Sequence, residues 1–144
     1  MSLEILFRAF RFYRALMFIR EEKGRIMTIR FGYGEASLDL AQKVQFKVKS
    51  AKDLFNLSIQ TGKDLIVADA YDSKMTHLIP SWYREKIDAP AFLFLPIMVK
   101  NVCIGAFYAD RDQKGQPIDT QEHRHLSMLR NQLVLAIQYR QGRC

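Results

Sequence analysis

The chain has 144 residues, 49% apolar and 26% charged, with a formal net charge of +7, figures that fit one globular domain with a core and exclude a disordered chain. The longest apolar run, residues 89–99, is broken by Pro90 and Pro96 and falls short of the roughly 20 residues a membrane span needs, so no membrane partner is expected. Two cysteines, Cys103 and Cys144, are too few for a secreted disulfide scaffold and point to a reduced, cytoplasmic protein.

The charge is uneven along the chain. Residues 1–30 carry seven Lys/Arg against three Glu, residues 31–121 carry eleven against eleven, and residues 122–144 carry four against one. A protein that grips nucleic acid through its body shows basic residues across the binding face. Here the excess lies at the two ends, which are expected to meet a dimer mate or a neighbouring domain.

In chain order, residues 3–13 form a short helix, with Ile5, Leu6, Ala9, Phe10 and Tyr13 at three- and four-residue intervals. Two β-rich runs, residues 15–19 and 25–31, flank the polar turn at residues 21–24 and predict a hairpin. Residues 42–49 alternate, with Val44, Phe46 and Val48 opposite Lys43, Gln45, Lys47 and Lys49, the pattern of a half-exposed edge strand. A helix follows, with Ser50 as its N-cap, Asp53 three residues on, and Gly62 at its C-terminal end. Residues 64–68 are a short buried strand, and Pro80 opens a helix over residues 81–87. Residues 91–99 and 102–110 are joined only by Lys100 and Asn101, which demands a tight hairpin. The last helix starts at Asp119 or Thr120, with Glu122 three residues after Asp119, and runs to about Arg140, with Leu126, Leu129, Leu133, Ala136 and Ile137 facing inward.

Leu93, Leu95 and Ile97 alternate with Phe92, Phe94 and Met98, so both faces of a largely antiparallel sheet must be covered. The expected fold class is α+β in α/β/α layers. The terminal helices cover one face, and short helices and loops cover the other.

Three stretches carry a family resemblance: residues 62–72 (GKDLIVADAYD), residues 92–97 (FLFLPI) and residues 103–110 (CIGAFYAD). Their order and spacing resemble those of a GAF domain, a profilin-like or PAS-like fold, over nearly the whole chain, residues 1–144. The first helix is shorter than the family usually has, so the chain is expected to begin inside that helix. Residues 126–137 (LSMLRNQLVLAI) are similar to the last helix of GAF domains fused to bacterial HDOD signalling modules. The resemblance implies a non-catalytic sensory or regulatory domain that binds an unknown small molecule, pairs as a homodimer through its terminal helices, and carries an attached output domain.

On that reading Phe55, Asp69, Tyr71, His77, Trp82, Tyr83 and Phe94 line a pocket, since aromatic walls with a few polar groups suit a small molecule. Trp82 and Tyr83 could equally plug the core beneath a closed lid. Placed at about 100° per residue on the last helix, Met128, Leu135 and Tyr139 form a second apolar strip suited to a dimer interface.

The family's specialised subtypes are not matched. Lys100-Asn101 inverts the order that cyclic-nucleotide binders carry. No Cys lies near His77 for bilin attachment, and two cysteines are too few for sulfoxide reduction. His77 alone is a poor case for haem, and His123 and His125 lie two apart on a helix, so they cannot form a metal pair on one face. No cofactor and no metal are expected. The alternatives are an interaction module without a ligand, or a basic nucleic-acid-binding adaptor suggested by the arginines and aromatics of the N-terminal stretch.

Overall fold

The computed structural model describes residues 12–21, 23–34, 37–49, 52–112 and 118–142. The helix expected over residues 3–13 lies outside the described residues apart from Phe12 and Tyr13, which are not helical. Six strands form one sheet: β1 (Arg14–Glu21), β2 (Ile26–Gly34), β3 (Gln45–Lys47), β4 (Leu65–Val67), β5 (Ala91–Val99) and β6 (Val102–Arg111), in the order β3-β2-β1-β6-β5-β4. Every neighbouring pair is antiparallel. The β5–β6 connection is the expected tight turn, with Lys100 and Asn101 at φ 53° and 65°, the left-handed pair of a type I′ hairpin.

Alternation of side chains across the strands divides the apolar residues between two cores. On one face Leu16, Phe18, Met27, Ile29, Phe46, Val67, Phe92, Phe94, Ala106 and Tyr108 are buried beneath three short helices: α1 (Ser37–Lys43), α2 (Leu54–Thr61) and α3 (Ser81–Lys86). On the other face Ala15, Leu93, Leu95 and Ala109 are buried with Phe12, Ile118 and Leu126, the last on the long helix α4 (Thr120–Gly142). The layered α+β arrangement expected from the sequence is therefore present, with α4 on one face and the short helices roofing the other.

Local chemistry fixes the helix ends. Asp53, and not Ser50, caps α2: its carboxylate accepts from the Asn56 amide at 2.9 Å. Gly62 ends that helix at φ 74° and donates its amide to the Ser58 carbonyl, the conformation glycine adopts without steric cost. At the start of α4, Asp119 Oδ1 accepts from the Glu122 amide at 2.8 Å and Glu122 Oε1 accepts from the Asp119 amide at 3.1 Å, a reciprocal capping box.

Three expectations are corrected. Residues 42 and 43 belong to α1, a helix the alternating pattern concealed, so the edge strand shrinks to Gln45–Lys47. It keeps the expected faces, with Phe46 buried and its two neighbours exposed. Asn56 of α2 closes its margin, accepting from the Lys49 amide at 2.9 Å and donating to the Lys47 carbonyl at 3.4 Å. The strand at Leu65–Val67 is an edge with one neighbour, and Ile66 is 36% exposed rather than buried. On α4 the inward stripe fades: Leu126 is buried, Leu129, Leu133 and Ile137 are half-buried, and Ala136 is exposed.

Gly105 sets how closely β1 and β6 can lie. A Cβ built on it would stand 2.5 Å from the Phe18 carbonyl oxygen, part of the facing backbone. We expect Gly105→Ala to lower unfolding stability by about 2 kcal/mol or more through forced separation of the two strands. Urea denaturation of the variant would measure this, and an unchanged midpoint would contradict it.

Candidate functional site

The roof side of the sheet holds a continuous set of aromatic rings. Phe55 stacks on Phe92 with centroids 5.4 Å apart and meets Phe94 edge-on at 5.1 Å. Trp82 stacks on Phe46 at 4.7 Å and lies 5.1 Å from Phe55, while Tyr83 lies 4.7 Å from Phe92. Such offset and edge contacts are favourable beyond the area they bury. Four of the expected pocket residues, Phe55, Trp82, Tyr83 and Phe94, are thus brought together. Phe55, Tyr83 and Phe94 are fully buried and Trp82 is half-buried at the margin.

The other three sit apart from this set. Tyr71, 49% exposed, lies on the loop ahead of α3, where its hydroxyl donates to Asp88 at 2.6 Å and the Arg84 guanidinium covers its ring at 4.5 Å. Asp69 accepts from the Tyr71 amide at 2.9 Å. Arg84 also reaches the Ala70 carbonyl and donates to Thr76 Oγ1 at 2.8 Å, so one guanidinium ties α3 to the loop that precedes it. His77 is exposed on a single 3-10 turn, Thr76–Leu78.

Beneath the rings runs a polar chain that sequence reading missed. The Tyr83 and Tyr108 hydroxyls are 2.7 Å apart, Tyr108 donates to Asp110 Oδ2 at 2.6 Å, and Arg14 Nε donates to the same oxygen at 3.1 Å. All four residues are buried. Arg14 and Asp110 are direct cross-strand partners, and Tyr108 and Asp110 share the roof face of β6. A charged residue at an inward position of a central strand was the available signal. Burial pushes the Asp110 carboxyl up to about 6, against the opposing pull of Arg14 and Tyr108. Burial and the Asp110 charge push both tyrosines well above their usual range, so they remain hydroxyls.

A second polar cluster holds α4. Asp64, between α2 and β4, accepts from Ser127 Oγ at 3.1 Å and from Arg130 through two nitrogens, and lies 2.8 Å from His123 Nε2. Burial opposes its charge, but the hydrogen bonds from Arg130, His123 and Ser127 outweigh that and hold the carboxyl below its ordinary value. Arg130 Nη1 also donates to the Pro96 carbonyl at 3.2 Å. Arg111 pairs with Glu122, joining the end of β6 to the first turn of α4.

Among the described residues no three His, Cys, Asp or Glu side chains converge to hold a metal. Cys103 is buried, its thiol pushed up by burial and donating to the Gly105 carbonyl at 3.1 Å, so it lacks the thiolate a nucleophile needs. No described helix is long and apolar enough to cross a membrane. On α4, Met128, Leu135 and Tyr139 are 54%, 65% and 66% exposed.

No family model matches the chain, and no curated protein matches it. Solved structures do. The GAF domain/HD domain protein from Geobacter sulfurreducens superposes with a TM-score of 0.76 at 16% identity, covering 96% of this chain and 89% of that one. The chain has the GAF fold. The GAF domain of an Acinetobacter phosphoenolpyruvate-protein phosphotransferase agrees, with a TM-score of 0.75 at 15% identity over 97% of this chain and 80% of that one. A domain of a two-component sensor histidine kinase described from Sinorhizobium meliloti matches with a TM-score of 0.68 at 18% identity, covering 95% and 85%. In the GAF fold of this chain, the face beneath α1, α2 and α3 is occupied by the protein's own rings.

Arg14 is expected to matter through Asp110. Removing it by Arg14→Met strands a buried carboxylate and should cost about 3–5 kcal/mol near neutral pH. Asp110 holds its proton more tightly folded than unfolded, so its contribution falls as pH rises from 3.8 to about 6. The Arg14→Met loss should therefore shrink at about pH 5, where the carboxyl takes up a proton. Urea denaturation of both proteins at the two pH values tests this, and an equal loss at both would contradict it.

Proposed function

We propose that this chain is a non-catalytic regulatory domain of a signalling protein, which pairs with a second copy through α4 and passes the state of that pair to an attached output domain. The observation that carries the reading is the strip of Met128, Leu135 and Tyr139, each more than half exposed and falling within about 40° of one another around the helix. Large apolar side chains aligned on one exposed face are the usual mark of an interaction surface. Arg130 on the same helix is committed to Asp64, which leaves no basic stripe and weighs against the nucleic-acid adaptor. An attached output domain is supported by the neighbours, which include a GAF domain/HD domain protein and a domain of a two-component sensor histidine kinase protein. An HDOD module is the output domain this reading names, and the cytoplasm its compartment.

Small-molecule sensing on the roof side is the second reading, with Phe55, Asp69, Tyr71, His77, Trp82, Tyr83 and Phe94 as its contacts. The Tyr83–Tyr108 bond at the inner end of the ring set favours it, because a molecule entering there by displacing Tyr83 would meet a ready hydrogen-bonding partner. Such a ligand acts only through different affinity for two arrangements of the helices.

Sedimentation of the purified chain is expected to give twice the chain mass, and Leu135→Glu to weaken the pair by about tenfold or more. A monomer at all concentrations, or a pair indifferent to Leu135→Glu, would refute the pairing. Thermal-shift screening of cyclic nucleotides, amino acids, haem and short aromatic acids tests the second reading.

A further inference from the structure

The fold gathers basic residues from the N-terminal segment and from the neutral body onto one margin. The β1–β2 turn, the β5–β6 turn and the end of β3 lie at the same end of the sheet, since Glu21 pairs with Ile26, Ile26 with Lys47, and Val99 with Val102. This gathers Lys23, Arg25, Lys47, Lys49 and Lys100, all exposed, onto one margin. Glu22 precedes Lys23 in the sequence; among the described acidic groups nearby, Glu21 lies 3.9 Å from Arg30 and the Asp53 carboxylate is engaged by Asn56.

Both turns present lysine in an uncommon conformation. Lys23 and Lys100 have φ 58° and 53°, in the left-handed region that Gly and Asn enter most readily. Non-glycine residues held in that region are worth tracing to function. Arg20 ties the β1–β2 turn to the start of β6. Its Nε donates to the Gly24 carbonyl at 2.7 Å and its Nη1 to the Cys103 carbonyl at 3.0 Å. Between them lies a groove of about 340 Å³ lined by Arg20, Lys23, Gly24, Val102, Cys103 and Ile104. Its apolar wall includes Val102, 53% exposed.

We propose that this groove binds an acidic, partly apolar peptide segment of a partner protein, with Val102 and Ile104 taking an aliphatic side chain and Lys23 and Lys100 facing its carboxylates. The chemistry of the groove selects this occupant. A planar anionic bilayer does not enter a concavity between two turns. A duplex backbone offers no apolar group to cover Val102, and neither turn carries an aromatic ring on which a single-stranded base could stack. Lysines are compact point charges on flexible stems, suited to carboxylates at varied positions rather than to one fixed bidentate site.

A fluorescein-labelled decapeptide of alternating Glu and Leu, titrated with the full chain and followed by anisotropy at low ionic strength, tests the proposal. Binding is expected to weaken as salt rises and to fall by at least about tenfold in Lys23→Glu/Lys100→Glu. Val102→Ser should weaken it several-fold with the lysines intact. Leu135→Glu, which tests pairing through α4, should leave the affinity unchanged, so the two readings fail separately. If the charge-reversed protein unfolds, Lys23→Gln/Lys100→Gln gives the same comparison. Equal binding of a decapeptide with Gln in place of Glu would overturn the proposal. So would an affinity indifferent to the lysines, or tighter binding of duplex DNA or phosphatidylglycerol vesicles through those lysines.

Discussion

Strand β5 has to leave water on both sides, and the rest of the architecture answers that demand. Eight of its nine residues are buried, and they alternate between the aromatic core under the roof and the aliphatic core under α4. A strand buried on both faces needs a neighbour along each edge and a layer above and below, because an unpaired backbone amide in an apolar interior costs as much as a lost hydrogen bond. Strand β6 supplies one edge along the whole strand, with a register shift between Ile97 and Met98, and β4 the other over three residues. The close approach at Gly105 lets β1 join β6, and the sheet then extends outward to progressively more exposed strands.

Burying so much apolar surface also buries a few charges, and their handling shapes the domain. Asp110 is fully enclosed and is neutralised within the sheet by a cross-strand arginine and a tyrosine, which locks the roof helix α3 to the central strands through Tyr83. Asp64 is only half-buried and looks outward to α4. The two carboxylates thus stand in different dielectric settings. Desolvation raises the carboxyl of one to about 6. The other is kept charged by donors from a helix that contributes little burial of its own.

Much of this was legible in the sequence. The hairpin at Lys100-Asn101, the glycine end of α2, the capping pair Asp119/Glu122 and the two-faced β5 all follow from local rules, since the residues concerned act on their immediate neighbours. The strip of Met128, Leu135 and Tyr139 was visible on a helical wheel, because exposure on a lone helix depends on angle alone. What escaped were features set by partners distant in sequence. Helix α1 has only Ser37 and Leu40 buried, too few for a periodic signal. The Asp110 chain joins residues 96 positions apart. The gathering of lysines at one margin depends on which strand ends meet. Phe55, Tyr83 and Phe94 were named from their type, but whether an aromatic ring lines a space or fills it depends on its neighbours, and Phe46, Phe92 and Tyr108 fill this one.

The ties from Arg111 to Glu122 and from Asp64 to Ser127 and Arg130 all fall within the first eleven residues of α4, Thr120 to Arg130. Leu135 and Tyr139 lie beyond them. These ties anchor the first half of α4 to the edge of the sheet and to the end of β6. The twelve residues after Arg130 reach about 18 Å, so a rigid rotation of about 5° at those ties would carry the far end about 1.6 Å, comparable to the small helix shifts that switch subunit interfaces. A small adjustment of the edge at Asp64 would in this way be enlarged along the axis of the helix.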